Sequence, residues 1–261
     1  MVAREEIYSC EIFLKAVVPL MKVLVEEREE LARGFKDFTG VVQISVNDNG
    51  GKIGTHFKIE KGVWTTVKKV HENPTIELEF KDIVTFNNFF KGKSKKLPKI
   101  NGKKHLKLMV YVFKVLLKMS ALLSASEAPT ENKDKVLLVK LYFYLLPSGI
   151  SLLNKLGHEE VSKWAKRSPD RVYAWSVENE PELSSYIRVK AGKTKACRGK
   201  YKYSKPFFTM KFNNADSALG ILLQKDDLVE STIKSKLIME GAPEFGAMIG
   251  EFMMLVGSYA K

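Results

Sequence analysis

The sequence predicts an α+β protein made of two similar units in tandem. Segments with a helical repeat of apolar residues are followed by segments in which every second residue is apolar, and this order occurs twice. A polar stretch, Ser124–Lys135, separates the two occurrences. The chain has 261 residues, 45% of them hydrophobic, which is enough for two domains that each bury a core. We therefore expect one unit in residues 1–125 and another in residues 126–261.

An amphipathic helix is predicted from Cys10 to Phe35. Apolar side chains recur there at steps of three and four residues. Pro19 is expected to bend the helix, because proline has no backbone N–H to donate. The apolar residues are Ile12, Phe13, Val17, Leu20, Met21, Leu24, Val25 and Leu31.

A β-hairpin and two further strands are predicted next. Val42–Val46 and Thr55–Glu60 alternate apolar and polar residues, and the turn-forming residues Asn47–Gly51 connect them. Val63–Lys68 and Thr75–Phe80 continue the alternation as a third and a fourth strand.

The first unit is expected to end with two helices around a short strand. Asp82 is expected to cap a helix over Ile83–Phe90, and Leu97–Ile100 is predicted as the fifth strand. From Lys103 the helical period returns with a wide apolar stripe. That stripe consists of Leu106, Met109, Val110, Phe113, Leu116, Leu117 and Leu122.

The second unit is predicted to repeat this order. Pro74 and Phe80 are separated by as many residues as Pro206 and Phe212. The predicted segments are helical Val136–Arg167, strands Val172–Val177, Ser184–Val189, Lys193–Arg198 and Phe207–Phe212, a short helix from Asp216, strand Thr232–Met239 and a helix from Pro243.

Nine short motifs carry a resemblance to a known family. They are Phe57–Gly62, Asn73-Pro74, Leu78–Asp82, Phe89–Lys93 and Ile100–Gly102 in the first unit, and Tyr186–Gly192, Lys205-Pro206, Met210–Asn214 and Met239–Gly241 in the second. In their order along the chain, these motifs resemble the sterol carrier protein 2 module, present in two tandem copies. The resemblance implies that each unit has a twisted, mainly antiparallel sheet of roughly five strands covered by helices.

The resemblance also implies a function. The family encloses a tunnel for sterols, fatty acids, acyl-CoA or phospholipids and has no catalytic residues, so we expect no enzyme activity and no cofactor. The two copies differ, because Phe89-Phe90-Lys91-Gly92 is replaced by Ile221-Leu222-Leu223-Gln224. One of the two cavities is therefore expected to be filled or differently selective.

Two groups of apolar residues are candidates for lining such tunnels, since an unpaired polar atom facing an alkyl chain costs a few kcal/mol. The alternative is that they form ordinary cores. The candidates are Phe86, Phe89, Phe90, Met109, Phe113, Leu116 and Leu117 in the first unit, and Leu219, Leu222, Met248, Ile249, Phe252 and Met253 in the second.

A basic segment beside Phe89 and Phe90 is a candidate for membrane contact. The chain has a formal net charge of +13, and lysines near an anionic membrane contribute about 1 kcal/mol each. A solvated loop is the alternative, and no nucleic-acid-binding motif accompanies the charge. The lysines are Lys91, Lys93, Lys95 and Lys96.

Other classes of protein and site are not favoured. The histidines are dispersed and the two cysteines far apart, so no metal site or disulfide framework is expected. No signal sequence is predicted at the start, which favours a cytoplasmic location. Val136–Leu146 is interrupted by Lys140 and stopped by Pro147, which favours a buried helix over a membrane span.

Two other functions remain open. The chain could be an accessory subunit that presents an acyl group to an enzyme, or a structural interaction module whose apolar residues are used up in packing. The expected partner is a hydrophobic small molecule or lipid, with peripheral contact to an anionic membrane and no specific nucleic acid. The oligomeric state is left open.

Overall fold

The computed structural model describes residues 2–260, apart from the side chain of Lys103. The chain forms two compact units. The first extends to Ala121 and also includes Tyr259 and Ala260, and the second is Leu122–Ser258. The final residues of the described chain therefore belong to the first unit.

The first unit contains five helices and five strands among its described residues. They are α1 Arg4–Ile12, α2 Leu20–Glu27, α3 Glu29–Ala32, β1 Gly40–Asp48, β2 Gly51–Glu60, β3 Val63–Val67, β4 Ile76–Phe80, α4 Ile83–Phe90, β5 Lys99–Asn101 and α5 Leu106–Leu123.

The predicted N-terminal helix is divided rather than merely bent. Between α1 and α2 the chain forms a π-helical turn, Phe13–Val17, in which the Val18 N–H donates to the Phe13 carbonyl at 2.8 Å. Pro19 follows and cannot donate a backbone hydrogen bond. The wider turn accommodates the proline while keeping Leu14 and Val17 buried.

The first sheet has the strand order β3-β2-β1-β4-β5. Its neighbours are antiparallel except β1 and β4, which run parallel with Val42 beside Ile76 and Val46 beside Phe80. Three of its four neighbouring pairs are antiparallel, so the sheet is mixed but mainly antiparallel, as expected. The parallel pair requires the connection after β3 to run back along the sheet before β4 begins.

The second unit begins with a long helix and has the same kinds of elements. They are α6 Asn132–Lys155, α7 Glu159–Arg167, β6 Arg171–Val177, β7 Glu180–Lys190, β8 Lys193–Arg198, β9 Phe208–Phe212, α8 Ala215–Leu222, α9 Leu228–Ile233, β10 Leu237–Glu240 and α10 Pro243–Ala260, whose last two residues belong to the first unit.

The second sheet repeats the topology of the first. Its order is β10-β9-β6-β7-β8, and β6 and β9 form the parallel pair. The hairpins β2–β3 and β7–β8 close with the same two-residue turn, in which both residues have positive φ: Lys61 and Gly62 in one, Ala191 and Gly192 in the other. The two units therefore share strand order, strand direction and turn type.

The helix after the parallel pair is also capped in the same way in both units. The Asp82 side chain accepts from the Thr85 N–H at 2.7 Å, as predicted, and the Asn214 side chain accepts from the Ser217 N–H at 2.9 Å. Each cap satisfies a backbone donor that the first turn of a helix leaves unpaired.

The predicted helical segment Val136–Arg167 consists of two helices, α6 and α7. The helix α6 continues through Pro147, and Leu145, Leu146 and Ile150 are buried on both sides of the proline. The helix is long and apolar enough to cross a membrane by length and composition, but 83% of its most apolar 18-residue window is buried within the protein. Its apolar side chains are accounted for by the core of the second unit.

Candidate functional site

The paired aromatic residues of α4 lie in a cluster rather than around an open space. The ring centroids of Phe86 and Phe90 are 4.7 Å apart, and those of Phe80 and Phe89 are 5.2 Å apart. Phe13 from the N-terminal segment joins the cluster at 5.3 Å from Phe90. Such distances are typical of packed aromatic pairs. The predicted lining residues Phe86, Phe89 and Phe90 thus stabilise the core of the first unit.

The helix α5 has one buried and one exposed apolar face. On the buried side, Tyr111 packs over Gly34, where a methyl group would overlap the tyrosine ring, and edge-on against Phe35. The predicted lining residue Leu116 is buried, and Met109 and Phe113 are half-buried.

On the other side of α5, Leu106, Val110 and Leu117 are 63%, 53% and 68% exposed. At 100° per residue, these three residues and Phe113 lie within about 60° of one another around the helix. Lys107 and Lys114, both exposed, lie along one flank of this stripe. The prediction that Leu117 lines an enclosed tunnel is therefore wrong, because its side chain faces solvent.

The basic segment after α4 is largely accessible. Lys93, Lys95 and Lys96 are exposed, and Lys91 is half-buried. Leu97 follows them and is 64% exposed. The predicted membrane-contact residues thus adjoin an accessible apolar side chain.

The predicted lining residues of the second unit lie on α8 and α10. The Trp175 Nε1–H points at the Met253 sulfur at 3.3 Å, and Phe252 lies 5.2 Å from Trp164. Gly246 approaches Met239 and Phe208 so closely that a methyl group there would overlap them. Of the other predicted residues, Leu219, Leu222 and Ile249 are buried and Met248 is half-buried.

A hydrogen-bonded carboxylate, Glu77, lies on the opposite face of the first sheet, which we call the outer face. Glu77 Oε1 accepts from Ser45 Oγ at 2.7 Å, Gln43 Nε2 at 2.8 Å and Lys52 Nζ at 3.0 Å. Its Oε2 accepts from Asn101 Nδ2 at 2.9 Å. Burial raises the pKa of Glu77, but these hydrogen bonds outweigh burial and lower the pKa to about 2.

The connection after β3 covers part of this outer face. The His56 Nδ1–H donates to the Lys69 carbonyl at 2.6 Å, and the His56 and His71 rings are 5.2 Å apart. Burial lowers the pKa of His56, and His71 and Lys58 lower it further, whereas the hydrogen bond to the Lys69 carbonyl raises it. Within residues 2–260, no group of three or more His, Cys, Asp or Glu side chains is placed to hold a metal ion.

The outer face of the second sheet contains a pocket of about 430 Å³. It lies over β6, β7 and β9, beneath the connection that follows β8, and Ser176, Thr209, Lys211 and Tyr201 are among its lining residues. Its position is equivalent to that of the Glu77 network in the first unit.

Comparisons with known proteins found limited likeness. No family model matches the sequence, and no curated protein matches it. The solution structure of a conserved hypothetical protein from Thermus thermophilus, described as a possible sterol carrier protein, is 15% identical with a TM-score of 0.29 over 42% of this chain and 83% of that one. The UbiJ-SCP2 ubiquinone synthesis protein is 15% identical with a TM-score of 0.29 over 45% of this chain and 96% of its own. Neither likeness assigns the chain to a family.

Neither outer face was predicted as a candidate site from the sequence. Their side chains alternate with core residues and are polar, a pattern that also fits a strand face open to solvent. The missing information was the parallel pairing, which sends the connection after β3 or β8 across this face. His56 and His71 do not have the sequence spacing of a helix face or a metal site. The connection after β3 nevertheless brings their rings together.

Proposed function

We propose that this chain binds a hydrophobic molecule, such as a sterol, fatty acid, acyl-CoA or phospholipid, without transforming it, and exchanges it at anionic membranes. One observation carries the proposal: the apolar stripe of α5 is exposed beside Lys107 and Lys114. Both units also have the five-stranded sheet and apolar terminal helix that the resemblance to sterol carrier protein 2 implies.

The stripe has the composition of a helix that lies in a membrane interface. Moving Leu106, Val110 and Leu117 from water into the acyl boundary would gain on the order of 5 kcal/mol. Lys107 and Lys114 at its flank would remain among anionic headgroups at about 1 kcal/mol each. Nucleic acid offers the apolar side chains of the stripe no hydrocarbon environment to enter, so a lipid surface is the better match.

Vesicle co-sedimentation of the full chain tests the membrane contact. We expect binding to phosphatidylserine-containing vesicles that falls at least tenfold in the variant Leu106→Ser/Leu117→Ser. The matched control is Val229→Ser/Ile233→Ser, which removes two apolar side chains that are 67% and 78% exposed on α9. Equal loss in both variants, or no loss in either, would contradict a specific role for α5.

Lipid analysis of the purified full chain tests carriage itself. Native mass spectrometry followed by organic extraction should detect a bound lipid, and an emptied sample should take up a fluorescent fatty acid. An empty protein that takes up no fatty acid would reject the carrier.

The second candidate is a structural interaction module with filled cores. The packed rings of Phe13, Phe80, Phe86 and Phe90 and the Trp175–Met253 contact favour it, because side chains already in contact leave no lining for a guest. This candidate would be supported if the chain takes up no lipid and if Leu106→Ser/Leu117→Ser binds vesicles as well as the unaltered chain does.

A further inference from the structure

The pocket on the outer face of the second sheet arises from short side chains at positions where the first unit has long ones. Gln43 lies beside Glu77 in the pair β1–β4, and Ala174 lies beside Thr209 at the equivalent place in β6–β9. In the first unit, the Gln43 amide and the Glu77 carboxylate fill this space and bond to each other. Ala174 and Thr209 cannot reach as far, so a cavity remains.

The size and position of this cavity suit a small molecule. Its volume of about 430 Å³ falls within the range of roughly 300–1,000 Å³ that is usual for small-ligand sites. Strand alternation places it on the face away from α10, since Trp175 and Met210 are buried on the core side. It is therefore independent of any apolar site in the core.

The floor of the pocket offers hydroxyl groups. Ser176 and Thr209 lie on adjacent strands, and their hydroxyls make no hydrogen bond to another group in the described part of the chain. The Ser184 hydroxyl is instead used within the protein, donating to the Pro181 carbonyl at 2.6 Å. Two hydroxyls are thus available to donate to or accept from a ligand.

The walls combine charges of both signs with an aromatic ring. Lys211 is paired with Glu178 at 2.6 Å, and Glu240 lies near the opposite end of the floor. Tyr201 lines the pocket, and its ring centroid lies 5.1 Å from that of Tyr186, which packs edge-on against it. Carboxylates that accept from hydroxyls and a ring face for C–H groups are what a sugar requires.

The charge balance argues against an anionic ligand. Two lysines, Lys200 and Lys211, line the pocket together with three glutamates, Glu178, Glu180 and Glu240. On a chain of net charge +13, this pocket has no excess of positive charge. A phosphate or carboxylate ligand would meet at least as much repulsion as attraction.

We infer that the second unit binds an uncharged sugar ring in this pocket, either as a free saccharide or as the sugar headgroup of a glycolipid. The ring would lie against Tyr201, with its hydroxyls directed to Ser176, Thr209 and Glu240. The inference does not depend on the lipid carriage proposed above.

Saturation-transfer NMR on the full chain tests the inference, with glucose, galactose and maltose as free ligands and sodium phosphate as an anionic competitor. We expect saturation transfer to at least one saccharide, with a dissociation constant near 1 mM, which corresponds to about −4 kcal/mol. Phosphate at equal concentration should not displace the sugar. No transfer to any saccharide and no binding to the glycolipid vesicles described below would overturn the inference, as would displacement by phosphate.

Two variants locate the binding. Ala174→Gln introduces the side chain that fills this place in the first unit, and Thr209→Val removes a floor hydroxyl while keeping its shape. Each should weaken saccharide binding at least tenfold. The matched control is Thr65→Val, at an exposed position of β3. Undiminished binding in Thr209→Val, a variant that preserves packing, would overturn the assignment of the site.

Vesicles separate the two sources of the sugar. Phosphatidylcholine vesicles with and without a glycosyl diacylglycerol should bind the chain equally if free saccharides are the ligands, and should differ if a headgroup is bound. In the second case Thr209→Val should abolish the difference, whereas Leu106→Ser/Leu117→Ser should preserve it. This pattern also distinguishes the sugar site from the α5 contact.

Discussion

Glu77 is the residue that most clearly distinguishes the first sheet from the second. Its carboxylate receives four hydrogen bonds at a position that is 5% exposed, whereas Thr209 at the equivalent position lines a pocket. One unit uses this place for a fixed polar network, and the other leaves it open. A difference of two side chains, at 43 and 77 against 174 and 209, thus changes a structural site into a candidate binding site.

The pKa of Glu77 leads to a prediction about acid stability. Because folding lowers this pKa from its ordinary value of 4.5 to about 2, the stabilisation is present above pH 4.5 and is lost as the pH falls toward 2. Glu77→Gln should lower the free energy of unfolding at pH 7 by on the order of 2–3 kcal/mol. It should also make unfolding less dependent on pH between 5 and 2.5, as measured by urea denaturation.

Glu230→Gln is the control for this prediction. Glu230 forms an exposed pair with Lys234, and exposed pairs contribute little. Its acid profile should match that of the unaltered chain. If the acid profile of Glu77→Gln also matched that of the unaltered chain, the hydrogen bonds to Glu77 would not be what keeps its carboxylate ionised.

This network could not have been predicted from sequence. Glu77 and Glu79 alternate with Ile76, Leu78 and Phe80, and the alternation alone describes a strand with one face in water. Only the pairing of β1 with β4 brings Gln43 beside Glu77. By contrast, the Asp82 cap was predictable, because its bond to Thr85 is local in sequence.

Among the elements, the two capped helices offer a paired test. Asp82→Ala and Asn214→Ala should each lower the free energy of unfolding by about 1 kcal/mol, since each leaves a backbone N–H of the first turn without its acceptor. The exchanges Asp82→Asn and Asn214→Asp keep an acceptor oxygen and should cost less. Thermal unfolding of the four variants provides the comparison, and equal losses in all four would show that the caps are not the cause.

Features set by neighbouring residues in the sequence could be predicted, whereas those set by contacts between distant segments could not. The periodicity predicts α5 well, but it does not say which apolar face is covered, and Leu117 lies on the uncovered one. The helix α9 was not predicted, and the strand predicted over Thr232–Met239 begins only at Leu237. In fact Asp227 begins the helix by accepting from the Val229 and Glu230 N–H groups.

For the molecule as a whole, the repeat of strand order and turn type is the main architectural result. The order of elements was predicted, since each element has its own periodicity. The direction of β4 and β9 was not, because alternation is the same in parallel and antiparallel strands. The Glu77 network and the pocket both lie where the connection that leads to the parallel strand, after β3 or β8, crosses the outer face of the sheet.

The return of the chain end to the first unit also yields a prediction. Ser9 Oγ donates to the Tyr259 carbonyl at 2.7 Å, and the Tyr8 and Tyr259 rings are 5.6 Å apart. A chain ending at Ser258 should lose about 2 kcal/mol of stability in the first unit. Hydrogen exchange should accelerate in β1–β5 and stay unchanged in β6–β10, and a chain ending at Ala260 serves as control. Faster exchange confined to the second sheet would contradict this arrangement.

The same return has a mechanical consequence. If residues 2 and 260 were pulled apart, tension would pass first through the contacts of Tyr8 and Ser9 with Tyr259. Until those contacts break, the 137 residues of Leu122–Ser258 lie within a closed loop between the contacting residues and bear no tension. A single-molecule stretching experiment should therefore record rupture of the contacts with Tyr259 before any extension from unfolding of the second unit.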